Sequence, residues 1–275
     1  MIKTLNCSGP IPKNAKVVIA LPNIYIPVAL LTMREDIEIG AQDCGLVPAK
    51  GGAFTGEVSP AQLKSMGVTW VIIGHSERRE GFGGAGSGES NEHVAEKVKA
   101  AVGGGLNVMI CCGEKKDERE AGTTMDVIAA QLTPVVRALS AKVRIFTRLD
   151  ETRQDKTSDI MSSSKNWPDY CSFPTLSFTL HLSAVALPLF LNRQDWEKVT
   201  IAYEPVWAIG TGLTATPEMA NDTQSSIRKW LASKVSSSVA EHLIIQVSND
   251  MIMMVGIEMA KLGHRNEKIR HAIIP

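Results

Sequence analysis

Six short, mostly apolar runs limit what this chain can fold into: Val17–Ala20, Ile37–Ala41, Trp70–Ile73, Val108–Cys111, Val199–Tyr203 and Leu243–Val247. A continuous run such as Val17–Ala20 is the kind that a parallel sheet buries on both faces. The stretches between them carry helical signals. Ser59-Pro60-Ala61-Gln62 opens a helix, with Ser as cap, Pro at the first helical position and Gln three residues after the cap. Asn91–Val102 puts Val94, Val98, Ala101 and Val102 on one face, and Thr124–Leu139 does the same with Ile128, Leu132, Val135 and Leu139. Thr216-Pro217-Glu218 caps a helix in which Met219, Thr223, Ile227, Trp230 and Leu231 share a side. A shorter helix is read around Val28–Met33. Strand and helix therefore alternate, which predicts an α/β fold with a parallel sheet inside and helices outside.

The 275 residues are 44% hydrophobic, enough for one sizeable core. Twenty-nine basic and twenty-nine acidic residues cancel, which argues against nucleic acid or a membrane surface as the main partner. The five cysteines (Cys7, Cys44, Cys111, Cys112, Cys171) have no metal-ligand spacing. Cys111–Cys112 falls in a predicted buried strand, so the thiols read as reduced packing residues of a cytoplasmic protein. The N-terminus has no basic–apolar–small leader pattern.

Two stretches carry chemistry. In Ala202–Thr214, AYEPVWAIGTGLT, a buried strand runs into Glu204, then Pro205, then a loop around Trp207 with glycines at Gly210 and Gly212. A carboxylate at the mouth of such a strand can have its proton affinity raised by desolvation. A loop bounded by proline and glycine can swing as a rigid piece and exclude water. The plainer alternative is a solvated glutamate before an ordinary loop. In Thr69–Arg79, TWVIIGHSERR, a second buried strand passes through Gly74 into His75, Ser76, Glu77, Arg78 and Arg79. Alone, His75 reads equally as a satisfied core or loop histidine.

GHSERR and YEPVWAIGTG together resemble the triosephosphate isomerase family, as do GAFTGE (Gly52–Glu57) and CGEKKDEREAG (Cys112–Gly122). The resemblance covers roughly residues 3–142 and 192–246. It implies a TIM (βα)8-type barrel, here incomplete with about six recognisable parallel strands, in a single domain over 1–275. It implies isomerisation of a small phosphorylated triose without metal or cofactor, as part of glycolysis and gluconeogenesis. By resemblance Glu204 is the general base. His75 is the electrophile, kept neutral by the positive end of a helix starting at Ser76–Arg78. Ser76, Glu77 and Cys111 support them. Ile209, Gly210 and Thr211 would close over the substrate phosphate. A homodimer is implied through the Gln42–Glu57 loop, with Thr55 near its tip and Gln42 and Arg78 at the same contact.

The chain also departs from the family. The family's first strand carries an Asn-x-Lys, and no such motif is expected here, because the resemblance begins in the helix after that strand. Gln246-Val247-Ser248-Asn249-Asp250 stands where a Gly-Gly-Ser phosphate loop belongs, and Asp250 would repel phosphate. Gly81–Gly88 is glycine-rich and, compared with the family, reads as a local insertion of about five residues before Glu89-Ser90. Residues 143–191 read as a loosely structured insertion; within them an edge strand over Leu176–Leu182 and a membrane span over Phe173–Leu191 are the sharper alternatives. Beyond Ser248 no strand is expected: Ile252, Val255, Met259 and Leu262 make one helical stripe that Gly263 could stop. These departures allow a second reading, an aberrantly spliced or catalytically dead chain of the same family.

Overall fold

The computed structural model describes residues 2–13, 15–48, 52–140, 193–209, 215–247 and 252–256. The insertion 143–191, Cys171, Gly210–Thr211, Asp250, Met259, Leu262 and Gly263 lie outside the described residues. In chain order come α1 (Ile2–Asn6), β1 (Ala15–Leu21), a 3-10 turn (Asn23–Tyr25), α2 (Ile26–Thr32), β2 (Ile37–Ala41), α3 (Pro60–Ser65) and β3 (Trp70–Ile73). They are followed by α4 (Ser76–Gly84), α5 (Asn91–Gly103), β4 (Asn107–Cys112), α6 (Lys116–Glu120) and α7 (Thr124–Ser140). The described chain continues with α8 (Arg193–Trp196), β5 (Val199–Tyr203), a 3-10 turn (Val206–Ala208), α9 (Pro217–Lys234), α10 (Ser237–His242), β6 (Ile244–Val247) and β7 (Ile252–Gly256).

The strands form one sheet in the order β6-β5-β4-β3-β2-β1-β7, parallel from β6 to β1, a curled part of an α/β barrel. Its mostly apolar strands follow from burial on both sides. Val17, Ile19, Ile37, Ile39, Val71, Ile73, Val108, Ile110, Val199 and Ile201 face the helices. Their neighbours Val18, Ala20, Trp70, Ile72, Met109, Cys111 and Ala202 make a separate inner cluster. Helix α5 buries Val94, Val98, Ala101 and Val102, and α7 buries Ile128, Leu132, Val135 and Leu139, as their spacing predicts. At α3 the Ser59 Oγ accepts from Gln62 N–H at 3.1 Å, and Gln62 Oε1 accepts from Ser59 N–H at 2.8 Å, a reciprocal cap. Pro134 inside α7 cannot donate to the Ala130 carbonyl. The Asn91 side chain takes that carbonyl instead, at 3.2 Å.

One expectation needs correction. Ile252–Gly256 is not helical but a seventh strand, paired antiparallel with β1 from Ala15↔Gly256 to Ile19↔Ile252. Five consecutive apolar or small residues suit either period. The bare edge of β1, whose backbone groups need partners, decides for the strand. Part of the Gly81–Gly88 segment is helical. Helix α4 runs to Gly84 through a left-handed turn in which Gly81, Phe82 and Gly83 have φ of 71°, 55° and 69°. Phe82, which pays a steric cost there that glycine does not, lies beside the Arg78 guanidinium at 5.5 Å.

A buried ion-pair cluster ties the start of the Gln42–Glu57 loop to this region. Lys97, 1% exposed, sits 2.5 Å from Asp43 Oδ1 and 2.9 Å from Glu89 Oε1. Arg78 Nε reaches the same two carboxylates at 2.9 Å and 2.7 Å. Removing one member of such a cluster strands the others in a dry place. Lys97→Met is expected to destabilise the fold by about 3–5 kcal/mol, measured as the shift of the urea unfolding midpoint at constant m.

Candidate active site

Parallel strands bring their C-terminal ends to one rim, and the two motif residues meet there. Strand β5 ends at Tyr203, so Glu204 is the first residue past it; it is 2% exposed. Strand β3 ends at Ile73; Gly74 turns with φ 79°, and His75 caps α4. The His75 Nε2 lies 3.1 Å from Glu204 Oε1, and Ser76 N–H donates to Glu204 Oε2 at 3.3 Å. The His75 Nδ1 accepts from Glu77 N–H at 3.3 Å. An acceptor nitrogen carries no proton, so this geometry assigns the proton to Nε2, the nitrogen that faces Glu204.

Burial pushes the Glu204 carboxyl above its ordinary value, although His75, Ser76 N–H, the Cys111 thiol and Arg79 all favour its ionised form. Cys111 is fully buried, and its thiol, pushed well up by that burial, donates to Glu204. Arg79 braces the two strand ends: Nε donates to Gly74 O at 2.7 Å, Nη2 to Cys111 O at 3.1 Å and Nη1 to Asn91 Oδ1 at 2.7 Å. Gly113, just past β4, has no room for a side chain, because a Cβ there would stand 1.6 Å from the Glu204 carbonyl oxygen.

The other candidates are less gathered. The Glu77 carboxylate is 68% exposed and 3.7 Å from His75 Nδ1, so it is the Glu77 backbone N–H that holds the imidazole. Ile209 ends the 3-10 turn and is half-buried. Thr55 is exposed, and the Gln42 N–H bonds to Leu21 O at 3.1 Å. Arg78 is spent on Asp43 and Glu89 within its own chain. Asn14-Ala15-Lys16 does spell Asn-x-Lys. Lys16, however, pairs with Glu38 at 2.7 Å near the start of β1, away from the rim that holds Glu204.

Glu114 escaped notice in the sequence, although it repeats the signal that marked Glu204, a carboxylate just past a buried strand. It is completely buried, and its Oε1 accepts from Tyr203 OH at 2.9 Å, Trp207 Nε1 at 3.1 Å and Arg119 Nη1 at 3.2 Å. It thereby fastens Trp207, in the middle of the loop that follows Glu204, to α6. Among the described residues no helix is long and apolar enough to cross a membrane, and no three His, Cys, Asp or Glu side chains gather as metal ligands.

The family model for triosephosphate isomerase matches residues 1–146 and 181–249. The protein named "Triosephosphate isomerase, cytosolic" of Oryza sativa subsp. japonica is 37% identical over 243 residues, 88% of this chain and 72% of the rice protein. This chain belongs to the triosephosphate isomerase family. The family match includes both rim segments, His75–Arg79 and Tyr203–Ile209, and breaks over residues 147–180.

The direction of the Glu204 shift fixes a pH dependence. The folded carboxyl holds its proton to higher pH than the unfolded one, so folding is favoured most below the ordinary carboxylate pKa. That contribution is lost as pH rises through the raised value. Glu204→Gln, which never ionises, is expected to match wild type at pH about 4, near the ordinary carboxylate value, and to melt increasingly above it as pH rises to 8. Scanning calorimetry of both proteins across that range gives the comparison.

Proposed function

We infer that this chain is a triose-phosphate isomerase that interconverts dihydroxyacetone phosphate and D-glyceraldehyde 3-phosphate. The observation that carries the reading is the 3.1 Å approach of His75 Nε2 to a carboxylate buried beside it. A C–H next to a carbonyl is too weakly acidic for a solvated carboxylate to remove quickly. It yields to a desolvated base when the developing oxyanion meets a fixed donor. Glu204 takes the carbon-bound proton while His75 Nε2–H gives its proton to the carbonyl oxygen, and an enediol forms. His75 Nε2 then takes the proton of the neighbouring hydroxyl while Glu204 returns its proton to the carbon that bore the carbonyl, which completes an aldose–ketose exchange with no change in overall oxidation level. A substrate seated between them replaces the direct Glu204–His75 contact with one contact to each side.

Trp207, held by Glu114, is the near end of a loop that would fold over the substrate and exclude water. Its far half, with Gly210 and Thr211, would meet the phosphate. The Gln42–Glu57 loop is the proposed contact of a homodimer. Exposed Phe54 on that loop and exposed Tyr25 after β1 supply apolar surface for it. The rice relative's name places that protein in the cytosol, and we assign this chain there, with a role in glycolysis and gluconeogenesis. The comparisons lend no support to a catalytically dead chain.

Glu204→Asp draws the carboxylate back by one methylene. It is expected to lower kcat about a hundredfold, the usual effect of a displacement near 1 Å, with KM nearly unchanged. A coupled assay on D-glyceraldehyde 3-phosphate measures both. A wild-type rate no higher than that of buffer would refute the assignment.

A further inference from the structure

The end of β4 is held from outside the sheet. Glu204 N–H donates to Cys112 O at 2.8 Å, and Val206 N–H donates to Glu114 O at 3.2 Å. The β4–β5 ladder thus brackets Glu204 and leaves Gly113 opposite it, with its Cα against the Glu204 backbone. On the other side β4 has lost its neighbour. The β3 register stops at Ile73↔Ile110, after which Gly74 turns away. The N–H and C=O of Gly113 therefore have no strand to pair with.

One side chain from α7 takes that place. Gln131 Oε1 accepts from Gly113 N–H at 2.9 Å, and Gln131 Nε2 donates to Gly113 O at 3.0 Å. A single carboxamide gives Gly113 the acceptor and the donor that a peptide of a third strand would give. The residue before it, Ala130, joins the same end of β4 through its carbonyl, Asn91, Arg79 and Cys111 O. Helix α7 thus reaches both Cys111, whose thiol donates to Glu204, and Gly113, on which the Glu204 backbone rests.

We propose that Gln131 is a positioning residue for the isomerisation: through Gly113 it fixes where the Glu204 carboxylate stands relative to the substrate carbon. This rests on the assignment of Glu204 as the base. A carboxamide that merely satisfied a turn would affect stability alone. One that fixes the base also affects turnover, because small displacements of a reacting group are costly.

Gln131→Met keeps roughly the same length and removes both hydrogen bonds. Gln131→Glu keeps the size and, once ionised, sets a carboxylate against the Gly113 carbonyl; it serves where the Met variant does not fold. In steady-state assays on D-glyceraldehyde 3-phosphate, kcat per folded molecule is expected to fall on the order of tenfold or more, with KM within about twofold. The acid limb of kcat/KM is expected to move to lower pH, because a looser Glu204 gains water while the groups facing it (His75, Arg79, Cys111 and Cys112) stay the same. Variants that melt earlier yet keep wild-type kcat and acid limb overturn the proposal. If wild type proves inactive, the functional assignment fails, and positioning is read without turnover. The 13C carboxyl signal of Glu204, assigned with Glu204→Gln, would then titrate at lower pH in the Gln131 variants if the proposal holds. An unchanged titration overturns it.

Discussion

Holding one carboxylate out of water is the constraint on which the rest of this site depends. Glu204 cannot sit 2% exposed unless its oxygens have partners and its backbone cannot move. His75, Ser76 N–H and the Cys111 thiol supply the partners, and they come from the ends of β3 and β4. The backbone is fixed by the β4–β5 ladder and by the contact with Gly113. Three adjacent parallel strands are therefore the least that this arrangement requires. That is why the site is assembled with six parallel strands among the described residues.

The same logic recurs one loop away. Glu114 is as buried as Glu204, but Arg119 lies against it, and a tyrosine hydroxyl and an indole donate to it. One carboxylate is thus held at one oxygen by a guanidinium, a hydroxyl and an indole, while the other borders an imidazole, a backbone N–H and a thiol, with the Arg79 guanidinium also favouring its ionised form. These surroundings suit the first to a structural role and the second to the proposed role of base.

How far the sequence could be read follows from the reach of each interaction. The apolar faces of helices α5 and α7 were legible, because a face repeated over several turns is set by the helix itself. Glu204 and His75 were legible because each follows a buried strand inside a distinctive motif. Strand β7 was misread, since five apolar residues have no period of their own and only the empty edge of β1 tells them what to become. Arg78 spans two carboxylates of its own chain, which no local pattern announces. Gln131 was invisible. A glutamine on the flank of an amphipathic helix gains meaning only when a strand 18 residues earlier loses its neighbour.

Strand β7 also bears on the order of assembly. Residues 15–19 leave the ribosome long before their outer hydrogen-bonding partners, residues 252–256. Until those partners emerge, β1 shows an open row of amides and carbonyls to any other extended chain. Closing that seam is a long-range, late event, which slows folding and lengthens the interval in which nascent copies can stick together. Yield in cells would therefore depend on chaperone supply and growth temperature more than the finished molecule's stability suggests.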